Sequence, residues 1–361
     1  MSSELTHLYT RTRHARKVIV VDLGFLGDTI HLVPALWDIK DNYPEAELHV
    51  LTSTVGRDVL RLAPCVDKAW SVEMYAETRT LGEQWRVISA LRREHFDLAI
   101  NFSGADRTNF FTALTAARWR VSHRGARWHF YNSWLIPNWV PRQDPDLIVS
   151  EQRRRILAAC GLTLTPARFN FKIDEPSARW AADLIPSPAI HISPNSAKAT
   201  KEWPLEHYLT LIRQIREDHS ALEIVLSGSA RPRERERLSQ LQSSLGHNRV
   251  RLLPDNLTIP QLAAVLSRCR LHIGSDSGVL HLAFALNLPS VSFLRQQPNF
   301  GAFMPAGPRH RVLSMPCPCI DGRSAPCERL NRAECLAAID PKCAAEAVAD
   351  QLRTWAPTEQ V

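Results

Sequence analysis

The sequence predicts an α/β protein of two halves, each a parallel sheet covered by helices on both faces. Three observations carry this reading. Near the start, Lys17-Val-Ile-Val-Val-Asp-Leu23 is a β-branched run of the kind a buried central strand shows, and Gly24-Phe-Leu-Gly-Asp-Thr29 leads it into the helical pattern Ile30–Ile39. Near the end, Leu271–Leu294 follows the same order: apolar strand, the turn Gly274-Ser-Asp-Ser-Gly278, apolar helix, a stop at Pro289 and another strand. Between them, the stretch from Gly161 to Pro188 is punctuated by Pro166, Pro176, Pro186 and Pro188, as a linker would be. A chain of 361 residues is long for one core and suits two domains. Residues 1–165 are read as the N-terminal domain, 166–187 as the linker and 188–361 as the C-terminal domain, with a Cys-rich segment at 315–343.

The elements between these landmarks alternate. Glu47–Leu51 reads as a strand, Val55–Leu62 as a helix, Asp67–Val72 as a strand, Gly82–Glu94 as a helix and Asp97–Asn101 as a strand. Arg118–Arg142 breaks the pattern, with arginines interleaved among aromatics and no clear periodicity. Glu151–Cys160 is helical. A second alternation then begins with the strand Ala189–Ser193. The loop Pro194–Pro204 and a helix to Ile215 follow, then the strand Leu222–Leu226, a charged helix after Arg231, the strand Arg249–Leu253 and the helix Ile259–Ser267. No close repeat relates the halves.

Composition narrows the function classes. Hydrophobic residues make up 45%, enough for ordinary packing, and no run approaches the roughly 18 apolar residues of a membrane span. Met1–Lys17 has no apolar signal core, so a cytoplasmic protein is expected. The net charge of +7 points to an anionic partner or to a solvated basic surface. In Arg118–Trp139 the mixture suits a lipid or phosphate-rich surface, or a loop whose tryptophans pack inward; single-stranded nucleic acid is the poorer match. The turn after the first strand has Gly24 and Gly27 but no third glycine, which argues against a dinucleotide site.

The chemistry concentrates in two turns. Gly274–Gly278 opens a helix, where free N–H groups and the dipole favour an anion, and His281 lies four residues after Ser277 on the same face. That cluster suits a phosphorylated, hydroxyl-rich ligand, or else an ordinary capped helix with Asp276 in its turn. Asp28 ends the first Gly-rich turn. It is placed either to accept a proton or simply to cap the helix beginning at Thr29.

Three motifs in order resemble the bacterial heptosyltransferases of glycosyltransferase family 9: Gly27-Asp-Thr-Ile-His-Leu-Val-Pro-Ala-Leu36, Lys201-Glu-Trp-Pro204 and Ser275-Asp-Ser-Gly-Val-Leu-His-Leu-Ala-Phe-Ala-Leu286. The resemblance spans about 18–348. It implies a GT-B fold, two Rossmann-like domains facing across a cleft, the acceptor bound by the first and the nucleotide sugar by the second. It implies inverting, metal-independent transfer of heptose from ADP-heptose to an inner-core lipopolysaccharide acceptor of Kdo-lipid A type, at the inner-membrane surface and without nucleic acid. Asp28 matches the family's base, and Lys201 the cation at the diphosphate, with Lys198 as its rival. Ser196, Asp276, Ser277, Gly278 and His281 match donor-binding positions. Ala197 departs from the pattern beside Ser196, and Glu234 matches only loosely a residue at the nucleoside. Arg120, Arg124 and Arg127 are the candidate acceptor-binding cations.

Cys317, Cys319, Cys327 and Cys335 form a spaced set in a Pro/Gly-rich segment, able to hold a structural zinc or iron ion. Autotransporter-modifying relatives bind iron with such a tail, which opens protein serine as a second acceptor class. A third alternative is a binding protein without catalysis. Cys335 also sits on an apolar helix face, so burial of the thiols without metal is the other reading.

Overall fold

The computed structural model describes residues 7–73, 81–125, 129–246, 248–296, 300–305, 307–317, 327 and 331–355. The chain divides into two compact units, Met1–Lys172 and Ile173–Val361.

In the first unit, α1 (Leu8–Thr12) precedes β1 (Lys17–Val21), whose Val18 to Val21 are fully buried. Then follow α2 (Leu26–Asn42), β2 (Glu47–Ser53), α3 (Thr54–Leu60), β3 (Lys68–Val72), α4 (Leu81–Arg93), β4 (Leu98–Asn101), α5 (Asp106–Leu114), β5 (Trp119–His123), α6 (Asn132–Leu135), β6 (Asn138–Val140) and α7 (Val149–Ala159). All strand pairs are parallel, in the order β3-β2-β1-β4-β5-β6. Alternate residues of β1 feed different cores: Val18 and Val20 pack with α2 residues such as Leu32 and Leu36, while Ile19 and Val21 pack with Ile88, Leu91 and Phe111. Running the order 3-2-1-4-5-6 outward from β1 makes β1 and β4 the point where the winding reverses, which is where such sheets open a crevice at their carboxyl ends.

The second unit begins with α8 (Glu175–Leu184) and β7 (Ala189–Ser193), then α9 (Leu205–Asp218), β8 (Glu223–Leu226), α10 (Pro232–Leu245), β9 (Val250–Leu252) and α11 (Ile259–Ser267). It continues with β10 (Cys269–Ser275), α12 (Gly278–Ala285), β11 (Ser290–Phe293), β12 (His310–Leu313), α13 (Glu334–Ala337) and α14 (Pro341–Thr354). Its parallel sheet runs β12-β11-β10-β7-β8-β9, the same winding, with the reversal between β7 and β10. Trp203 anchors this core, stacked on Phe293 at 4.0 Å between centroids and donating from Nε1 to the Ile339 carbonyl.

Two expectations change. The segment Arg118–Arg142 contains two parallel strands, β5 and β6, which its interleaved arginines conceal. The expected linker contains α8, which is capped by Asp174 and packs on α11. Pro176, read as a breaker, sits in the first turn of that helix, where no N–H donor is needed.

Candidate functional site

In the first unit, the loop after β1 and the starts of α2 and α5 line a cavity of about 490 Å³ that includes Asp22, Asp28, Arg107, His123, Gln152 and Arg153. Asp28 occupies the third position of α2, and its Oδ2 accepts the Phe25 N–H at 2.9 Å. The helix begins at Leu26 and not at Thr29, so Asp28 caps it from inside the first turn rather than ahead of it, and the same carboxylate also lines the cavity. Gly24 permits this approach: a Cβ there would stand 2.3 Å from Asp28 Cβ and 3.0 Å from Asp22 Oδ1, and the backbone-anchored Asp28 Cβ has little room to give.

Asp22, just past β1, is buried and takes Arg153 Nη2 at 2.6 Å and the Gly24 N–H at 3.0 Å. Burial pushes its carboxyl above the usual aspartate range, with the Asp28 charge acting the same way and Arg153 opposing. His123 places Nε2 2.7 Å from the Phe102 carbonyl and is pushed down from its ordinary value by burial, with the Arg153 charge adding to that. Asp22, His123 and Arg153 escaped the sequence reading. The one available signal was an acidic residue closing an otherwise apolar strand.

The candidate acceptor arginines divide. Arg120 spends Nε on the Leu135 carbonyl and Nη1 on that of Ala117, fastening α6 to β5. Arg124 is exposed just beyond β5. Arg127 lies outside the described residues.

In the second unit, the loop after β7 and the turn after β10 meet at the winding reversal. Lys201 Nζ sits 2.6 Å from Asp276 Oδ2, while Lys198 is exposed. Ser196 donates from Oγ to the Asp276 carbonyl at 2.5 Å. Ser277 is the N-cap of α12, with extended backbone and no side-chain cap bond; its Oγ is buried without a protein partner among the described residues. Gly278 is the first residue of α12, and buried His281 on its next turn places Nε2 4.0 Å from Asp276 Oδ1. A cation, an unspent hydroxyl and a helix N-terminus thus gather beside one carboxylate. That arrangement can hold an oxyanion and stabilise charge on a departing phosphate.

Each residue of Lys201-Glu-Trp-Pro204 has separate work. Lys201 reaches Asp276, Trp203 fills the core and Pro204 caps α9. Buried Glu202 accepts the Ser196 N–H at 2.8 Å and Arg233 Nη1 at 2.7 Å, with Arg237 at 3.5 Å. Glu202 was also missed; it holds the loop that aims Ser196. Glu234 accepts the Ser229 N–H at 2.9 Å and so ties down the loop before its own helix.

Of the candidate metal ligands, Cys317, Cys327 and Cys335 are buried in the same core, and Cys319 lies outside the described residues. Burial pushes the Cys335 thiol up to about 12, with its Cys317 and Cys327 neighbours adding to the effect. Arg295 Nε donates to Cys317 Sγ at 3.4 Å. Among the described residues, the three side chains whose ligand atoms all lie within 4.8 Å of one another are Glu47, His49 and Glu94. There Lys17 and Lys68 already bind Glu94, each at 2.7 Å.

Residues 84–331 match the family model described as glycosyltransferase family 9 (heptosyltransferase). The lipopolysaccharide core heptosyltransferase OpsX of Haemophilus influenzae is 22% identical over 284 residues, covering 78% of this chain and 79% of its own. Among solved structures, the ADP-heptose lipopolysaccharide heptosyltransferase II of Escherichia coli superposes with a TM-score of 0.75 at 20% identity, covering 94% of this chain and 99% of that one. A family 9 glycosyltransferase from Veillonella parvula gives a TM-score of 0.80 at 18% identity, covering 94% and 98%. These superpositions share the GT-B fold of paired parallel six-stranded sheets.

Proposed function

This chain belongs to glycosyltransferase family 9, the heptosyltransferases, and from that premise we propose that it transfers heptose from ADP-heptose to an inner-core lipopolysaccharide acceptor with inversion at the anomeric carbon. The observation that carries this reading is the pair of constellations at the two winding reversals: a carboxylate lining a cavity in the first unit, and a lysine beside a helix N-terminus in the second. Asp28 takes the proton of the attacking acceptor hydroxyl as the bond from heptose to the diphosphate oxygen breaks. Lys201, the Ser277 Oγ and the N–H groups opening α12 meet the charge that develops on ADP. Asp276 accepts hydrogen bonds from the sugar, and His281 and Ser196 line the same turn. On this reading the catalytic charge is met by protein groups, without a metal. The test is turnover of ADP-heptose against defined Kdo-lipid A acceptors, with UDP- and GDP-sugars as controls. ADP-heptose should be used alone, and transfer only from another donor would sink the assignment.

The acceptor class suggests contact with the inner-membrane surface. Phe130 and Trp134 are 75% and 81% exposed, and Arg124 lies nearby in sequence. The helix that carries Trp134 is anchored: Asn132 of α6 accepts from Asn109 Nδ2 at 3.1 Å and donates to Asp106 Oδ1 at 2.9 Å. Aromatic side chains of this sort favour the headgroup layer, and arginine favours its phosphates. No helix among the described residues is long and apolar enough to cross a bilayer. Vesicles with 30% anionic lipid should carry the protein in flotation, and Phe130→Ser/Trp134→Ser should reduce the floated fraction at least ~5-fold. Equal flotation of the two proteins would remove this surface from the account.

The cysteine segment is read as a structural site for zinc or iron. Either ion would displace the thiol protons on binding, and Cys317, Cys327 and Cys335 would supply three of the four ligands, with Cys319 the fourth. Elemental analysis should then find about one equivalent of metal per chain, lost in Cys335→Ser. A metal-free wild-type protein of normal stability would leave burial as the reason for these thiols.

A further inference from the structure

The cavity around Asp28 holds a second acidic side chain and a buried arginine, and the reaction as described uses neither. Arg153 of α7 points its two terminal nitrogens in different directions. Nη2 meets Asp22 Oδ2 at 2.6 Å, and Nη1 donates to the main-chain carbonyl of Asp28 at 2.5 Å. Asp22 in turn holds the Gly24 N–H, and Phe25, the next residue, gives its own N–H to the Asp28 carboxylate. The guanidinium therefore grips the first turn of α2 from one side, and Asp22 grips the loop feeding that turn from the other. Both Asp22 and Arg153 are under 10% exposed.

The adjacent residue provides an internal comparison. Arg154 makes a similar buried pair with Asp38 at 2.7 Å and donates to the Thr165 carbonyl. Neither Arg154 nor Asp38 lines the cavity. One helix thus carries two buried arginine–aspartate pairs, and only the pair at 153 and 22 lies beside a carboxylate with proposed chemistry.

We propose that Asp22 and Arg153 are a positioning pair for Asp28: Arg153 fixes the base through its peptide carbonyl, and Asp22 balances the arginine's charge beside the Asp28 carboxylate. This rests on the reading of Asp28 as the base. The ionisable groups lining the cavity around Asp28 are Asp22 after β1, Arg107 from α5, His123 from β5 and Arg153 from α7. Arg107 donates from Nη2 to the Glu73 carbonyl at 3.3 Å, and His123 is engaged by the Phe102 carbonyl. That leaves the Asp22–Arg153 pair as the balance that a single substitution tips most directly. Burial works against an ionised Asp22, and Arg153 is the first of the influences that oppose it, so each member of the pair favours the charge of the other.

The test follows the sign of charge. Asp22→Asn leaves the arginine uncompensated beside Asp28, so the acid limb of the pH profile of kcat should move down by about one pH unit. Near neutral pH kcat should fall roughly 10-fold while donor KM stays within about 3-fold of wild type. Arg153→Met leaves a carboxylate with no cation, so its acid limb should stay in place or move up, never down. Asp38→Asn, which breaks the comparison pair, should lower the melting temperature and leave the limb where it is. Either cavity variant suffices if the other does not fold. An unmoved limb in Asp22→Asn, or a downward shift in Arg153→Met, overturns the positioning pair. Full turnover in Asp28→Ala is a different result, because it removes the base itself whatever the Asp22 variants do.

Discussion

Asp28→Ala is expected to lose at least ~100-fold in turnover with ADP-heptose and a core acceptor, while its circular dichroism spectrum stays that of the wild type. The size follows from the work assigned to the carboxylate. Without it, the attacking hydroxyl must give its proton to water during bond formation, and general-base assistance is worth roughly 10²–10⁴ in rate. The fold should survive, since the side chain contributes one cap bond, to the Phe25 N–H. Losing such a cap costs about 1 kcal/mol, a fraction of a domain's stability. Asp28→Asn separates the roles further, because the amide oxygen can still accept from Phe25 but cannot take a proton at neutral pH. It should match Asp28→Ala in activity and exceed it in stability. An asparagine variant with wild-type turnover would show that capping is all this residue does.

A second large effect concerns the C-terminal unit and acid. His191 and His272 face each other across the central strands β7 and β10 with their Nδ1 atoms 2.9 Å apart, both fully buried. Burial drives His191 down to about 3. His272 is also driven well below its ordinary value, first by burial and then by the two neighbouring histidines. His310, bonded to Ser290 Oγ at 3.0 Å, falls to about 4 through burial and the Arg309 charge. In the unfolded chain all three take up protons near pH 6.5. Their folded values lie lower, so the unfolded state binds more protons between those limits and stability must fall as the pH falls. The contribution is fully present above about pH 6.5 and is lost progressively toward pH 4 and below. Each histidine contributes a slope of roughly 1.4 kcal/mol per pH unit, so the three together approach the net stability of a domain within two units. Urea midpoints measured from pH 7 to 4.5 should drop steeply, and His191→Leu/His272→Leu should flatten that dependence. A wild-type midpoint constant over that range would contradict the buried neutral pair.

How much of this was legible in the sequence depends on how local each signal is. The αβ alternation and both reversal-point turns could be read because strand, turn and helix are contiguous. Asp28, Asp276 and Ser277 fall in those turns and His281 one helical turn on, while Lys201, in the loop after β7, came only from the resemblance of Lys201-Glu-Trp-Pro204. β5 and β6 could not be read, since Arg118 and Arg120 flank Trp119 where a buried strand would show apolar residues. Arg120 resolves that conflict by giving its donors to carbonyls. α8 was hidden by Pro176, which marks a linker and a helix start alike until the Asp174 cap is seen. The supporting residues were the least legible. Arg153 meets Asp22 across 131 positions, and Arg233 meets Glu202 across 31, so no window of sequence contains either pair. A turn announces the ligand-facing atoms, while the side chains that aim them come from wherever the winding returns.

The division of labour between the units is the claim on which the rest depends, and donor binding tests it most directly. Equilibrium titration with ADP should give Asp28→Ala the affinity of the wild type, within about 2-fold, despite its lost turnover. Lys201→Ala should bind ADP at least ~10-fold more weakly, having lost the cation beside α12. If Asp28→Ala instead lost ADP binding and Lys201→Ala retained it, the nucleotide would not rest where this account places it.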